Sequence, residues 1–330
     1  MSDVSSPRAP KSAVRPSRSL VALAGLALLV LLSLPFAVND YVLYVVNLTL
    51  VYALAAVGFN IVLGYLGQLA FANAAFFGIG AYAFAVSISV WHLPFLAALA
   101  FAAAMGGATG FVVGLPALRL RRYYLAIVTL VFGELLRWLY IHSDGITGGS
   151  GGLGLPPVSL AGLAIDTDSR KFYVLLAVAG VMIWLTWNIL SSRIGRAWTA
   201  VRENELAAAS LGLSPARYKI AAFAWSGVVS GVAGALFALL LGRISPESFN
   251  LHQLLMQFAI VMIGGLGSVL GAILGAVLLT AAPELLRNVP GIEEIVFSLL
   301  LIGVLLYMPR GLSGMLAARF PVLREPLYRK

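Results

Sequence analysis

This sequence predicts an all-α polytopic membrane protein, and three observations carry that fold class. The chain of 330 residues is 61% hydrophobic and only 11% charged, with a mean hydropathy of +0.96, more apolar surface than a water-soluble core of ordinary size can hide. Apolar runs of about 20 residues recur along its length, each long enough as a helix to cross roughly 30 Å of hydrocarbon. The basic residues behind the net charge of +9 lie between those runs. That is the distribution of positive-inside topology, whereas a nucleic-acid reader spreads its basic residues, with aromatics among them, over a soluble face; no nucleic-acid partner is expected. Cysteine is absent, which excludes disulfides, thiolate metal sites and cysteine nucleophiles.

The elements follow in order. Residues 1–18 carry Arg8, Lys11, Arg15 and Arg18 among Pro, Ser and Ala, a composition that cannot bury itself and reads as a disordered cytoplasmic tail. Spans are then expected at about Leu20 to Val38, Tyr41 to Leu63, Leu69 to Val90, Phe95 to Leu115, Tyr123 to Ile141, Phe172 to Leu190 and Ile220 to Leu241. A final span covers Ile292 to Met308, and before it the apolar stretch from Leu254 is interrupted at Gly264, Gly265 and Gly267.

Orientation decides how that stretch divides. Most of the 22 Lys and Arg fall in the N-terminal tail, Arg119 to Arg122, Arg193 to Lys219, and Arg310 to Lys330, and all four places should be cytoplasmic. The C-terminal tail returns inside only if Leu254 to Leu286 crosses twice, turning near Gly267. The expectation is therefore about ten transmembrane helices, some short or broken at glycines, with the N- and C-termini cytoplasmic. The halves of that hairpin are short, so a re-entrant or broken-helix geometry stays open. The organisation is a tail at 1–18, a transmembrane domain at 19–308 containing a cytoplasmic loop at 191–219, and a basic tail at 309–330.

That loop reads SSRIGRAWTAVRENELAAASLGLSPARYK. Its middle, Arg196 to Leu211, is expected to be one short helix, stopped by Gly212 and Pro215. Ala200, Ala207 and Ala208 would give it a small-residue face while Arg202, Glu203 and Glu205 stay hydrated, a surface on which a soluble partner could dock closely. An ordinary loop helix fits the composition equally well. No GxxxxGK[ST] loop is present, and none of Lys11, Lys171, Lys219 and Lys330 follows a glycine, so the chain has no usual cradle for a nucleotide phosphate. If ATP powers it, the ATPase is another polypeptide, and the loop around Glu205 is the place to receive its stroke.

Small residues concentrate at Gly64, Gly67, Gly78 and Gly80, and again at Gly264, Gly265, Gly267, Gly271 and Gly275. They permit close helix packing or backbone breaks that line a cavity. GYLGQ (64–68) and GGLGS (264–268) form a faint internal repeat, in a chain of 34 glycines. Gln68 and Asn73 are polar residues within apolar sequence, where an unpaired amide is expensive; either they meet solute or, the favoured reading, they bond a neighbouring helix. Glu134 and Arg137 are an acid and base three residues apart on one helical face, read equally as a functional intramembrane pair or as a structural pair near the outer interface. GITGGSGGLGLPP (145–157) is too rich in glycine to be helical and should be an external loop or pore-facing turn. His92, His142 and His252 are widely separated, so no metal site is expected. No catalytic centre is found, and no enzyme is expected.

Several segments together resemble the permease family of branched-chain amino-acid ABC importers, in its longer, LivM type. They are GYLGQLAFANAAFFGIGAY (64–82), PALRL with YLAIVTLVFGELLR (116–137), ITGGSGGL (146–153), SRIGRAWTAVRENELAAASLGL (192–213), GVAGALFALLLGRISPESF (231–249), MIGGLGSVLGAILGA (262–276) and PRGLSG (309–314). The resemblance implies a multi-pass subunit of the bacterial inner membrane, embedded in the lipid bilayer. It implies four further proteins: a second homologous permease, two cytoplasmic ATPases that use the ATP, and an external solute-binding protein; the chain itself binds no cofactor. It makes Arg196 to Gly212 the segment coupled to the ATPase, with Arg196, Arg202, Glu203, Glu205, Ala207, Ala208 and Gly212 as its candidates. Gly64, Gly67, Gln68, Asn73, Glu134, Arg137, Gly264, Gly265 and Gly267 are the pathway or gating candidates. The family commonly has His where Asn73 stands and Gly where Arg122 stands, which puts a role for the first position in doubt and adds surface charge at the second.

Overall fold

The computed structural model describes residues 31–120, 122–160, 163–286 and 311–319. The tail at 1–18, the first expected span before residue 31, Arg121, the final span Ile292 to Met308 and the end of the basic C-terminal tail lie outside these residues.

Residues 31–37 are helical, and α1 follows over Asp40–Asn60. The Asn39 side-chain oxygen accepts from the Val42 N–H at 3.1 Å, and Asp40 complements the helix dipole in the first turn. The helix runs on as a π turn over Ile61–Tyr65. Next come α2 (Asn73–Ser89), α3 (Phe95–Gly114), α4 (Arg122–His142) and α5 (Asp168–Ser191). The loop carries α6 (Arg193–Glu203) and α7 (Glu205–Ser210). Pro215, whose missing N–H costs nothing in a first turn, opens α8 (Pro215–Leu241), and Gly242 in the left-handed region closes it. Then follow α9 (Leu251–Gly264), α10 (Val269–Leu286) and α11 (Gly311–Arg319). Among the described residues strand is confined to four two-residue pieces, β1 (Leu153–Gly154), β2 (Ser159–Leu160), β3 (Leu163–Ala164) and β4 (Arg243–Ile244); β1 pairs antiparallel with β4, and β2 with β3.

Among the described residues five helices are long and apolar enough to cross a membrane, and three shorter apolar helices stand beside them. The chain is thus an all-α polytopic membrane protein. One expected span needs correction. Leu69 does not start a helix: residues 66–72 lie in no regular element, and α2 begins at Asn73. The cause is the turn at Gly67 (φ 72), after which the Phe71 N–H is held at 2.7 Å by the Thr129 hydroxyl of α4 instead of by a helical carbonyl. The stretch from Leu254 to Leu286 is two helices joined by a turn over 265–268, as expected near Gly267. A Cβ at Gly264 would lie 2.1 Å from the Gly271 carbonyl oxygen, and one at Gly275 would lie 2.2 Å from that of Ile260, so α9 and α10 form a tight antiparallel hairpin. The 14 residues of α9 reach only about 21 Å. The glycine-rich 145–157 segment is not wholly irregular either: Asp144–Thr147 forms one helical turn and Gly149–Gly151 a 3-10 turn.

The axis of the bundle is α8. Its apolar window is 78% buried, against 22% for α4 and for α5, and it packs along α3, α2 and α1. With lipid outside, helices gain little from hiding apolar surface from one another, so close backbone approach does much of the work. A Cβ at Gly227 would lie 2.1 Å from the Gly106 carbonyl oxygen, and one at Gly106 would lie 2.3 Å from that of Gly227. No side chain fits between α3 and α8 there. By contrast a Cβ at Gly133 on α4 would meet nothing within 4 Å. Gly227→Val should therefore abolish folded protein in the membrane, while Gly133→Ala should leave it equal or raise its melting temperature by the propensity gain of about 1 kcal/mol. Detergent-extracted thermal melts compare the two.

Candidate functional site

The loop at 191–219 is built from its N-cap outward. The Ser192 hydroxyl accepts from the Ile194 N–H at 3.1 Å, starting α6. This helix is amphipathic, burying Gly195, Ala197, Trp198 and Val201. The Trp198 indole donates to the Tyr218 carbonyl at 2.9 Å, fixing α6 against the first turn of α8. The expected single helix from Arg196 to Leu211 is broken. Asn204 adopts extended angles (φ -157, ψ 109), and its side-chain oxygen accepts from the Ala207 N–H at 3.0 Å. An asparagine that caps the next helix cannot also continue the last one. Gly212 does end the run, with φ 84.

The break changes which residues face outward. Ala208 is buried, Ala200 half-buried and Ala207 exposed, so the three alanines share no open face. What α7 presents instead is Leu206, 83% exposed, with Leu211 at 82% just beyond it. Arg196 and Glu203 are also exposed. Glu205 is not simply hydrated: both its carboxylate oxygens accept from the Lys219 ammonium, at 2.7 and 2.8 Å. The lysine side chain is only 7% exposed and the glutamate 49%, so the carboxylate neutralises a charge that α8 would otherwise bury alone. Arg202 is exposed as expected, yet its guanidinium donates to the Gly64 carbonyl.

Arg202 lands on the junction where α1 unwinds. Gly67 is needed twice over: its φ is 72, and a Cβ there would lie 2.5 Å from the Arg202 Cγ. The second glycine break lies directly against the first, since a Cβ at Gly64 would lie 2.3 Å from the Gly267 nitrogen. Asn60 joins them. Its amide nitrogen donates to the Ser268 carbonyl at 2.8 Å and the Gly265 carbonyl at 3.4 Å, and its oxygen accepts from the Gly267 N–H at 2.8 Å. Those bonds satisfy a turn whose Gly265 and Gly267 have φ 117 and 76. The helix α11 starts at the same place, because a Cβ at Gly311 would lie 2.6 Å from the Gly265 Cα.

Asn73 bonds helices, as favoured for it. Its nitrogen donates to Gln257 Oε1 at 2.7 Å and to the Ala55 carbonyl at 3.3 Å, while its oxygen accepts from the Ser230 hydroxyl at 2.6 Å. One side chain thus ties α2 to α9, α1 and α8. Gln68 is half-buried beside the junction, its N–H bonded to the Val62 carbonyl at 3.0 Å.

Glu134 and Arg137 do not join this group. Thr129 marks the level of the Gly67 turn, and Arg137 stands eight residues, about 12 Å, further along α4. There it bonds Glu134 at 3.0 Å and Glu247, ahead of α9, at 3.3 Å. The pair serves a clasp at the opposite end, where Arg243 donates to the Gly151 carbonyl at 2.7 Å and β1 pairs with β4. Among the described residues no group of three or more His, Asp or Glu could hold a metal ion.

Asn60 is the residue that sequence reasoning passed over. The signal was present: a lone amide inside an apolar run, one helical turn before Gly64, is as costly unpaired as Asn73. Asn60→Leu should cost about 2–4 kcal/mol by orphaning the turn's backbone groups, lowering the melting temperature of the detergent-solubilised protein, whereas Asn60→Gln, longer but still an amide, should lose less.

The family model described as branched-chain amino acid transport system / permease component matches residues 41–308. The high-affinity branched-chain amino acid transport system permease protein LivM of Escherichia coli K12 is 36% identical over 92% of this chain and 76% of its own length. LivH of the same system in Salmonella typhimurium is 29% identical over 82% of this chain and 93% of its own. The autoinducer 2 import system permease protein LsrC of Yersinia pestis is 30% identical over 67% and 69%. No solved structure matches the chain.

Proposed function

The chain belongs to the permease family of branched-chain amino acid transport systems, and from that premise we propose that it is one permease subunit of an ATP-binding-cassette importer. It would move branched-chain amino acids inward across the cytoplasmic membrane by alternating access. A second homologous permease completes the conduit, two cytoplasmic ATPases supply the energy, and an external binding protein delivers the solute. Relatives that carry the LivM and LivH names support the paired arrangement. The ten-span topology with both ends inside is part of the proposal. Its support is that α11 and the 265–268 turn stand at the same end of the bundle as α6 and α7, linked through Gly311, Gly267, Gly64 and Arg202.

The observation that carries the mechanism is the seat of Arg202 on the Gly64 carbonyl. A partner ATPase would grip Leu206 and Leu211, the two most exposed large apolar side chains of the described loop. Three attachments then pass its motion inward: Trp198 and the Glu205–Lys219 pair act on the root of α8, and Arg202 acts on the glycine junction. The π turn at 61–65 and the positive-φ glycines are where such a push meets least helical resistance. No bond chemistry falls to this chain. The alternative, a stand-alone secondary carrier or channel, would draw on the Glu134–Arg137 pair and the broken helices, but Glu247 engages that pair.

Glu205→Lys would place two cations together at the root of α8. In liposomes holding the complete transporter, leucine uptake should fall by more than about ten-fold while ATP hydrolysis continues, and the exchange Glu205→Lys with Lys219→Glu should restore part of the uptake. Full uptake by the single variant would contradict the assignment.

A further inference from the structure

Of the seven buried side-chain polar atoms that have no hydrogen-bond partner among the described residues, four come together: the hydroxyls of Tyr82 and Tyr140 and the amide nitrogens of Gln253 and Gln257. Their residues are 3%, 3%, 8% and 0% exposed. Phe and Leu would fill the same space without leaving such groups orphaned, so their presence calls for something that uses them.

They lie along one line. Gln253 and Gln257 are four residues apart and so share a face of α9, and Phe249, just ahead of that helix, is linked to them by the Phe237 ring, 6.3 Å from its own and 6.3 Å from that of Tyr52. The Phe249 ring lies 5.7 Å from that of Tyr82 and 6.2 Å from that of Tyr140, and the two tyrosines stack at 4.3 Å. Next, Gln253 accepts from the Tyr52 hydroxyl at 3.4 Å. One turn beyond that, Gln257 accepts from Asn73 at 2.7 Å. The line therefore runs from the clasp end toward the glycine junction.

Its chemistry is one-sided. Asn73 also donates to the Ala55 carbonyl, which fixes its nitrogen on that side and obliges Gln257 to offer its oxygen and leave its nitrogen free. All four orphan atoms can donate a hydrogen bond. None carries a charge, and Glu134 and Arg137 are occupied with each other and Glu247. Neutral donors in series suit a solute rich in acceptors, above all a carboxylate, and hold it weakly enough to release it.

We propose that Tyr82, Tyr140, Gln253 and Gln257 are a contact line for the carboxylate of a small amino-acid solute, shut in this conformation and uncovered when α9 parts from α2. The proposal rests on the importer reading for the existence of that solute. The line is the site at which the solute touches this subunit, distinct from the glycine junction that would drive the opening.

The experiment uses the complete transporter in liposomes. Y82F/Y140F removes two hydroxyls and no packing, so thermal stability should hold or rise, while leucine uptake falls about ten-fold. In this cysteine-free chain, the thiol introduced by Gln253→Cys should react with a small anionic thiol reagent during turnover, much faster than the one introduced by Leu236→Cys in the packed core of α8, and leucine-loaded binding protein should slow the reaction. Unchanged uptake in the stable double variant overturns the proposal, as does a thiol at position 253 that reacts no faster than the one at position 236 or that leucine does not protect. If the unaltered transporter shows no ATP-driven leucine uptake, the importer reading fails instead, and the reactivity of the Gln253→Cys variant toward the anionic reagent still decides whether the line opens.

Discussion

A single amide in the apolar core, that of Asn60, holds two broken helices together. In lipid every backbone polar group needs an internal partner, and the turn between α9 and α10 leaves several without one. Asn60 supplies both a donor and an acceptor to that turn. It sits one helical turn before Gly64, so the same short segment that satisfies the second break also forms the first. Remove that bridge and neither the short α9 nor the π turn has a reason to stop where it does.

The rest of the architecture is arranged about this junction. Glycine contacts draw α3 and α2 against α8, Asn73 pins α2 to α1, α8 and α9, and the loop helix α6 reaches in with Arg202. The opposite end is held differently, by ion pairs and a two-residue strand pairing across the glycine-rich loop. The glycine junction is thus joined mainly by amides and close backbone, with Arg202 laid on it, and the other end by a clasp of ion pairs and strand. A bundle closed by two dissimilar fastenings can release one while the other holds, which is what alternating access requires.

Much of this was legible in the sequence. Periodicity and length gave the apolar helices to within a few residues at Phe95, Leu190 and Leu241, and the glycine interruption at 264–267 located the hairpin turn. What was not legible came from local chemistry overriding pattern. Asn204 reads as a tolerable residue inside a helical stretch, yet its capping geometry split α6 from α7 and turned Ala208 inward. Leu69 belongs to an apolar run, but Gly67 upstream of it delays α2 to Asn73. The GYLGQ and GGLGS motifs resemble one another weakly in sequence; that they touch through Gly64 and Gly267 is a tertiary fact which spacing alone does not contain. The Glu134–Arg137 pair was visible as a pair, but its third member, Glu247, lies more than a hundred residues away.

The central claim is that the loop and the hairpin turn are energetically one unit, joined through Gly64. A double-mutant cycle of Arg202→Ala and Asn60→Ala, read as leucine uptake per ATP hydrolysed by the complete transporter in liposomes, tests it most directly. The account predicts that the double variant is scarcely worse than the more damaged single one. Independent, multiplying losses from the two substitutions would contradict it.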